Sequence, residues 1–200
     1  MLNTNKYSRS NLWLYVPLWL FFVYLFVQIV QIEPNKSGGI FLGIMYFIEF
    51  GVHEVSHLVV AFLPSILVAA AGSAGELTFT ALVAYAAFKS KSYFAGIFGL
   101  LWVALAMNSI GMYMADARVQ QLQLAGPGSD PQHDWHYVFG SLGWLNADTF
   151  IGGFVRGLGD LIGFAALALG FWLLICMLAN DKSTPKENDS SNVSKIINRY

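Results

Sequence analysis

The sequence predicts an all-α protein, a polytopic membrane helix bundle with about five transmembrane helices. Of its 200 residues, 56% are hydrophobic and only 12% are charged, and the mean hydropathy is +0.55. Soluble domains carry about 25% charged residues, so the charged fraction of this chain is roughly half of the usual value. Long apolar runs recur along the chain, each close to the about 20 residues that a helix needs to cross a bilayer.

Composition also excludes several classes of protein. The formal net charge of −1 leaves no basic surface for phosphates, so a nucleic-acid partner is not expected. The one cysteine, Cys176, cannot form an intrachain disulfide. The high apolar content excludes a disordered chain, a collagen-like fibre and a coiled coil.

The first three predicted spans lie in the N-terminal half of the chain. Residues 11–32 contain no charge and form a run longer than the ~7–15 residues of a signal-peptide core. No small-x-small cleavage pattern follows, so we interpret this run as a retained anchor helix. The second span, 40–63, is stopped by Pro64. The third, 65–88, is rich in Ala and Gly, which favours close packing inside the bundle.

The C-terminal half adds two spans and a longer connection. The fourth span covers 93–114, a loop follows over 115–156, and the fifth span covers 157–178. The polar tail 179–200 is expected to be disordered. If all five segments cross the bilayer, the N-terminus and the loop lie on one face of the membrane. Lys and Arg occur on both faces, so the positive-inside rule does not fix the orientation.

The second span carries ionisable residues at membrane depth, which mark a functional site. His53, Glu54 and His57 form the pattern HExxH. Residues i and i+4 share one helix face, so the two imidazoles can hold one zinc ion per chain. Zinc lowers the pKa of a bound water to about 7, and Glu54 can accept its proton as the general base. The alternative is a hydrogen-bonded polar cluster without metal.

A catalytic zinc site needs three protein ligands, and three candidates exist for the third. If the third segment crosses once, the second and fourth spans are parallel, so Asp116 emerges on the same side as the end of the HExxH helix. Glu76, in the third span, is the second choice, because an internal hydrogen bond is the favoured interpretation for it. The last candidate is the loop cluster at 133–136.

Several interpretations are possible for this loop cluster, which consists of His133, Asp134, Trp135 and His136. Asp134 could orient a metal-bound imidazole through the other ring nitrogen. His133 or His136 could stabilise an oxyanion or act as a fourth ligand. The competing interpretation is an interfacial loop whose aromatic residues lie at the level of the lipid headgroups.

The combination of HExxH in one span with Asn108 and Asp116 in another resembles the site-2 protease family of intramembrane zinc metalloproteases. The later motif of that family has the form N-x-x-P-x-x-x-x-D-G. Here Gly111 stands at the position of the proline and Ala117 at that of the final glycine. A closer likeness is to a group of small bacterial membrane proteins with HExxH, Y-x-A-D-A-R and H-D-W motifs, which here read Tyr113 to Arg118 and His133 to Trp135.

The resemblance implies a zinc-dependent membrane endopeptidase, and a bacterial inner membrane is the expected location. The resemblance implies that His53, His57 and Asp116 bind zinc and that Glu54 is catalytic. Asn108 would then support the metal ligands or stabilise the oxyanion. The substrate would be a membrane protein or peptide. The alternative function is a non-proteolytic scaffold or regulatory subunit that retains a metal-binding or polar site.

Overall fold

The computed structural model describes residues 7–33, 39–123 and 133–179. Helices hold 85% of these residues, and no strand occurs among them, which confirms the predicted all-α class. The α-helices of the described residues are α1 (Leu12–Val30), α2 (Gly39–Val59), α3 (Ser65–Lys89), α4 (Tyr93–Ala115), α5 (Asp134–Leu142) and α6 (Asp148–Ala179).

Five of these helices, all except α5, are long and apolar enough to cross a membrane. The chain is therefore a multi-pass integral membrane protein. Helix α6 begins at Asp148 rather than at 157, because the helix continues through the charged residues that interrupt its apolar run. Helix α5 lies within the predicted loop 115–156. Of the predicted disordered tail, the residues from 180 onward lie outside the described part of the chain.

Helix α4 is the central element of the bundle. Of its most apolar window, 78% is buried, against 22–39% for the other four long helices. It runs antiparallel to α3, where Gly99 lies against Ala84, and to α6, where Gly111 lies against Gly152. Because lipid tails are as apolar as the side chains, such close backbone approach, rather than hydrophobic burial, holds membrane helices together.

Helix α1 packs along α6 in the opposite direction. Near its middle, Trp19 donates its indole N–H to the Leu167 carbonyl at 3.0 Å. Near its C-terminal end, the Ile32 carbonyl accepts from the Arg156 guanidinium at 3.4 Å. Since α4 and α6 are antiparallel, α1 runs parallel to α4.

This direction corrects one expectation from the sequence. Tyr7 lies beside the turn between α3 and α4, where its hydroxyl donates to the Lys91 carbonyl at 3.3 Å. The N-terminal end of α1 is therefore at the opposite end of the bundle from the 115–156 loop, and the prediction that they share a face was wrong. Hydropathy locates a span but does not give its direction, which here follows from the contacts of the Tyr7 and Tyr15 rings with Phe94.

Neighbouring glycines of α6 provide a test of the close α4–α6 contact. A Cβ atom on Gly152 would meet the Gly111 carbonyl, and it would lie 2.7 Å from the Ala115 nitrogen, whereas one on Gly153 meets nothing within 4 Å. We expect Gly152→Ala to lower the free energy of unfolding by about 1–3 kcal/mol through overpacking. Gly153→Ala is the matched control and should be neutral or stabilising by up to about 1 kcal/mol. Thermal unfolding in detergent measures both, and equal melting temperatures would contradict the packing argument.

Candidate metal centre

The HExxH residues lie in the C-terminal part of α2. Helical spacing brings the His53 and His57 rings together, with 4.7 Å between their centroids. Their side chains are only 12% and 20% exposed. Two largely buried imidazoles therefore face the interior from one side of the helix, as the i, i+4 spacing predicts.

Both imidazoles turn the same ring nitrogen towards one carboxylate oxygen. Asp134 Oδ2 lies 3.1 Å from His53 Nε2 and 3.3 Å from His57 Nε2. Among the described residues, these three form the group whose potential metal-binding atoms all lie within 4.8 Å of one another. The structure thus brings Asp134, from the short helix α5, to the HExxH face.

The other ring nitrogen of each imidazole is held by α3. His53 Nδ1 is hydrogen-bonded to the Glu76 carboxylate, and His57 Nδ1 donates to the Val68 carbonyl at 2.7 Å. A metal-binding histidine is commonly oriented in this way, by a carboxylate or a backbone carbonyl on the nitrogen that does not bind the metal. Glu76 thus contacts the far side of the His53 ring, away from Asp134.

Helix α3 can come this close because position 72 is glycine. A Cβ atom on Gly72 would lie 2.5 Å from His53 Cε1, which no real side chain tolerates. The helix starts directly after Pro64 and runs back along α2, so Val68, Gly72 and Glu76 follow one another on its inner face. The Gly-rich composition of this span therefore serves the site as well as helix packing.

Helix α5 carries Asp134 as its first residue. Its N-cap is His133, whose side chain accepts the His136 backbone N–H at 3.2 Å. Trp135 donates its indole N–H to Ser73 Oγ of α3 at 3.0 Å. Phe139 is buried against small residues of α3 and the end of α4, so the apolar side of α5 lies on the bundle. Docking of this helix places the Asp134 carboxylate over the two imidazoles.

Tyr113, in the last turns of α4, fixes the position of Asp134. Its hydroxyl accepts the Asp134 backbone N–H at 2.9 Å and donates to Asp134 Oδ2 at 3.4 Å. Its ring stacks on His133 at 4.3 Å. In the sequence, Tyr113 shows no sign of a role in a site beyond its place as the first residue of the Y-x-A-D-A-R motif.

Asp116, the expected third ligand, is not part of the three-residue group. Its carboxylate accepts the backbone N–H groups of Gln121 at 2.8 Å and Leu122 at 3.0 Å, and it lies 3.4 Å from His133 Nε2. Burial lowers the pKa of the His133 imidazole, and the neighbouring Asp116 carboxylate offsets part of that effect. Asp116 thus holds the turn after α4 and supports the N-cap of α5.

The remaining predicted residues have other partners. Asn108 is fully buried, donates to Asp160 at 3.0 Å, and accepts from Arg156 at 3.4 Å, so it joins α4 to α6. His136 Nδ1 donates to the Ala117 carbonyl at 2.7 Å. Neither side chain belongs to the group formed by the two HExxH histidines and Asp134.

Glu54 lies on α2 between the two histidines and is partly exposed. Among the described residues, no hydrogen bond to its carboxylate is found, so no other described side chain holds it.

Comparison of the chain with protein-family models, with curated proteins and with solved structures gives no match. The likeness to intramembrane metalloproteases therefore stays a prediction.

The Trp135–Ser73 hydrogen bond provides a test of how α5 is held. Trp135→Phe removes the donor and leaves the buried Ser73 hydroxyl without it, at a cost of about 1 kcal/mol. We expect backbone hydrogen exchange in α5 to become about fivefold faster. Trp144→Phe, at a 54% exposed position, is the control and should leave exchange unchanged. Equal exchange in both variants would show that this bond does not dock the helix.

Proposed function

We propose that this protein is a zinc-dependent metallopeptidase of the membrane, which hydrolyses peptide bonds in or near the bilayer. His53, His57 and Asp134 bind the ion, and Glu54 is the general base. The proposal departs from the sequence expectation in its third ligand, since Asp134 takes the position assigned there to Asp116.

The observation that carries the proposal is the spacing of the donor atoms. Ligands about 2.0–2.1 Å from a tetrahedral zinc ion lie about 3.3 Å from one another. The two distances between imidazole Nε2 atoms and Asp134 Oδ2 are 3.1 and 3.3 Å. Two of the three distances between donor atoms thus match a shared ion, and all three atoms lie within 4.8 Å of one another.

The donor set and its surroundings also suit zinc. Zinc accepts both imidazole nitrogens and carboxylate oxygens as ligands, and three protein ligands leave a fourth position for water, as in catalytic sites. The Nδ1 contacts of His53 with Glu76 and of His57 with Val68 present the Nε2 atoms for binding. These contacts on the far ring nitrogens support the proposal of a metal-binding group.

The chemistry divides between the ion and Glu54. When bound, zinc makes water a nucleophile at neutral pH by lowering its pKa to about 7. The Glu54 carboxylate accepts the proton of the attacking water and passes it to the leaving amine, so the peptide bond is broken and no net proton is consumed at the glutamate. The Tyr113 hydroxyl holds Asp134 in position during these steps.

The position of α2 supports a membrane substrate. On the side away from α3, Val55, Leu58 and Val59 are 57%, 76% and 65% exposed, so this side of the HExxH helix faces lipid. A peptide in the bilayer can therefore lie against α2, the helix that carries the HExxH residues. A membrane protein or a membrane-bound peptide is the substrate class that this arrangement favours.

Zinc content of the purified protein tests the ligand set. We expect about one zinc per chain in the wild type, and loss of most of it in His53→Ala, His57→Ala and Asp134→Ala, since each removes one of three ligands. Asp116→Asn is the matched control, because its amide oxygen can still accept a backbone N–H of the turn that supports α5, whereas a neutral amide is a poor zinc ligand, and it should retain zinc. Elemental mass spectrometry measures all five proteins. Zinc retained by Asp134→Ala but lost from Asp116→Asn would overturn the assignment.

Glu54→Gln tests catalysis separately from binding. The amide cannot accept the proton, so we expect hydrolysis of casein and of quenched-fluorescent membrane peptides in micelles to fall by about 10²–10⁴-fold, with zinc content unchanged. Equal hydrolysis by the variant and the wild type would contradict the role of Glu54. A wild type that holds no zinc when the ion is supplied would favour the alternative, a scaffold in which Asp134 pairs with the two imidazoles.

A further inference from the structure

A second polar site lies between the C-terminal end of α1 and the first turns of α6. An open cavity of about 600 Å³ is lined there by Val30, Gln31, Ile32, Glu33 and Arg156. This volume is within the range of about 300–1,000 Å³ that is usual for sites of small ligands. The cavity does not involve the residues of the candidate metal centre.

Arg156 is the cation of this cavity, and its contacts are with neutral oxygens. Its Nε donates to Asn108 Oδ1 and its Nη2 to the Ile32 carbonyl, both at 3.4 Å. Among the described residues Arg156 forms no ion pair, and Asp160, one turn further along α6, accepts instead from Asn108. A guanidinium in a membrane-spanning helix whose partners among the described residues are all neutral is suited to take an anion as a further partner.

The depth of Arg156 in the membrane indicates which anion this side chain can reach. From Leu161 to Ala179, α6 contains no charged residue, and this stretch rises about 28 Å, close to the about 30 Å thickness of the hydrocarbon region. Arg156 therefore lies at the edge of that region, at the level of the headgroup phosphates. The apolar run of α1 also ends at this level, since Ile32 contacts Arg156.

We propose that Arg156 and the cavity beside it bind the phosphate group of a phospholipid. The planar guanidinium matches two phosphate oxygens, whereas an ammonium group acts only as a point charge. Because Glu33 lies on the wall of the same cavity, a headgroup that carries an ammonium beside its phosphate suits the site better than one with two negative charges. Phosphatidylethanolamine has that chemistry.

Native mass spectrometry of the full chain in detergent tests the proposal. The protein is incubated with an equal mixture of phosphatidylethanolamine and diacylglycerol that carry the same acyl chains. We expect one phospholipid per wild-type chain and little diacylglycerol, because only the first has the phosphate. Equal retention of the two lipids would overturn the proposal, and this readout requires no variant to fold.

Variants of Arg156 test whether this residue binds the phospholipid. Arg156→Gln should reduce phospholipid retention by about tenfold, the effect of one lost charge-assisted contact. The retention of Arg156→Lys should lie between that of the wild type and that of Arg156→Gln. Lys89→Gln is the matched control, since it removes one exposed positive charge at the other end of the bundle. Unchanged retention in a folded Arg156→Gln would contradict the assignment.

Competition with inorganic phosphate distinguishes the two possible sources of the bound phosphate group, a phospholipid and free phosphate. Lipid that stays bound in excess sodium phosphate supports a membrane ligand. Binding of inorganic phosphate that depends on Arg156, without retained lipid, supports the phosphate site with a soluble ligand instead. If neither ligand binds in an Arg156-dependent manner, the proposal fails.

Discussion

In a bilayer, the polar groups of a helix can find hydrogen-bond partners only within the protein, and this constraint orders the present bundle. His57 reaches the Val68 carbonyl across the α2–α3 contact, and Trp19 reaches the Leu167 carbonyl across the α1–α6 contact. Each such bond fixes the relative position of two helices, because lipid supplies no alternative partner for the donor. The same bonds that satisfy buried polar groups therefore build the site.

Helix α4 links the two polar regions of the molecule while keeping them apart. Tyr113 faces α5 and the candidate metal centre, whereas Gly111 lies against Gly152 and the stem of Arg156 on α6. Two residues along a helix point to nearly opposite sides. The proposed metal site and the proposed phosphate site are thus on different faces of one central helix, so a bound lipid does not compete for the metal ligands.

The carboxylate of the candidate metal centre comes from a short helix in the loop, not from a membrane span. Two hydrogen bonds position Asp134: the bond of the neighbouring Trp135 to Ser73, and the bond of the Asp134 backbone N–H to the Tyr113 hydroxyl. Binding of an ion to both α2 and α5 would add to these contacts, since metal binding stabilises the arrangement that presents the ligands. In the proposed enzyme, docking of α5 and completion of the metal site are then one event.

The sequence by itself determined the helices and the imidazole pair, whereas the tertiary structure decided which carboxylate meets them. Hydropathy and the i, i+4 spacing of His53 and His57 are local properties, which a single helix fulfils. Spacing left Glu76, Asp116 and the loop cluster 133–136 as candidates, because each can be brought near α2 by a chain of that length. Docking of α5 and the close approach of α3 placed one carboxylate between the Nε2 atoms and another on the far side of His53. Long-range contacts of this kind, like those that set the direction of α1, leave no periodic pattern in the sequence.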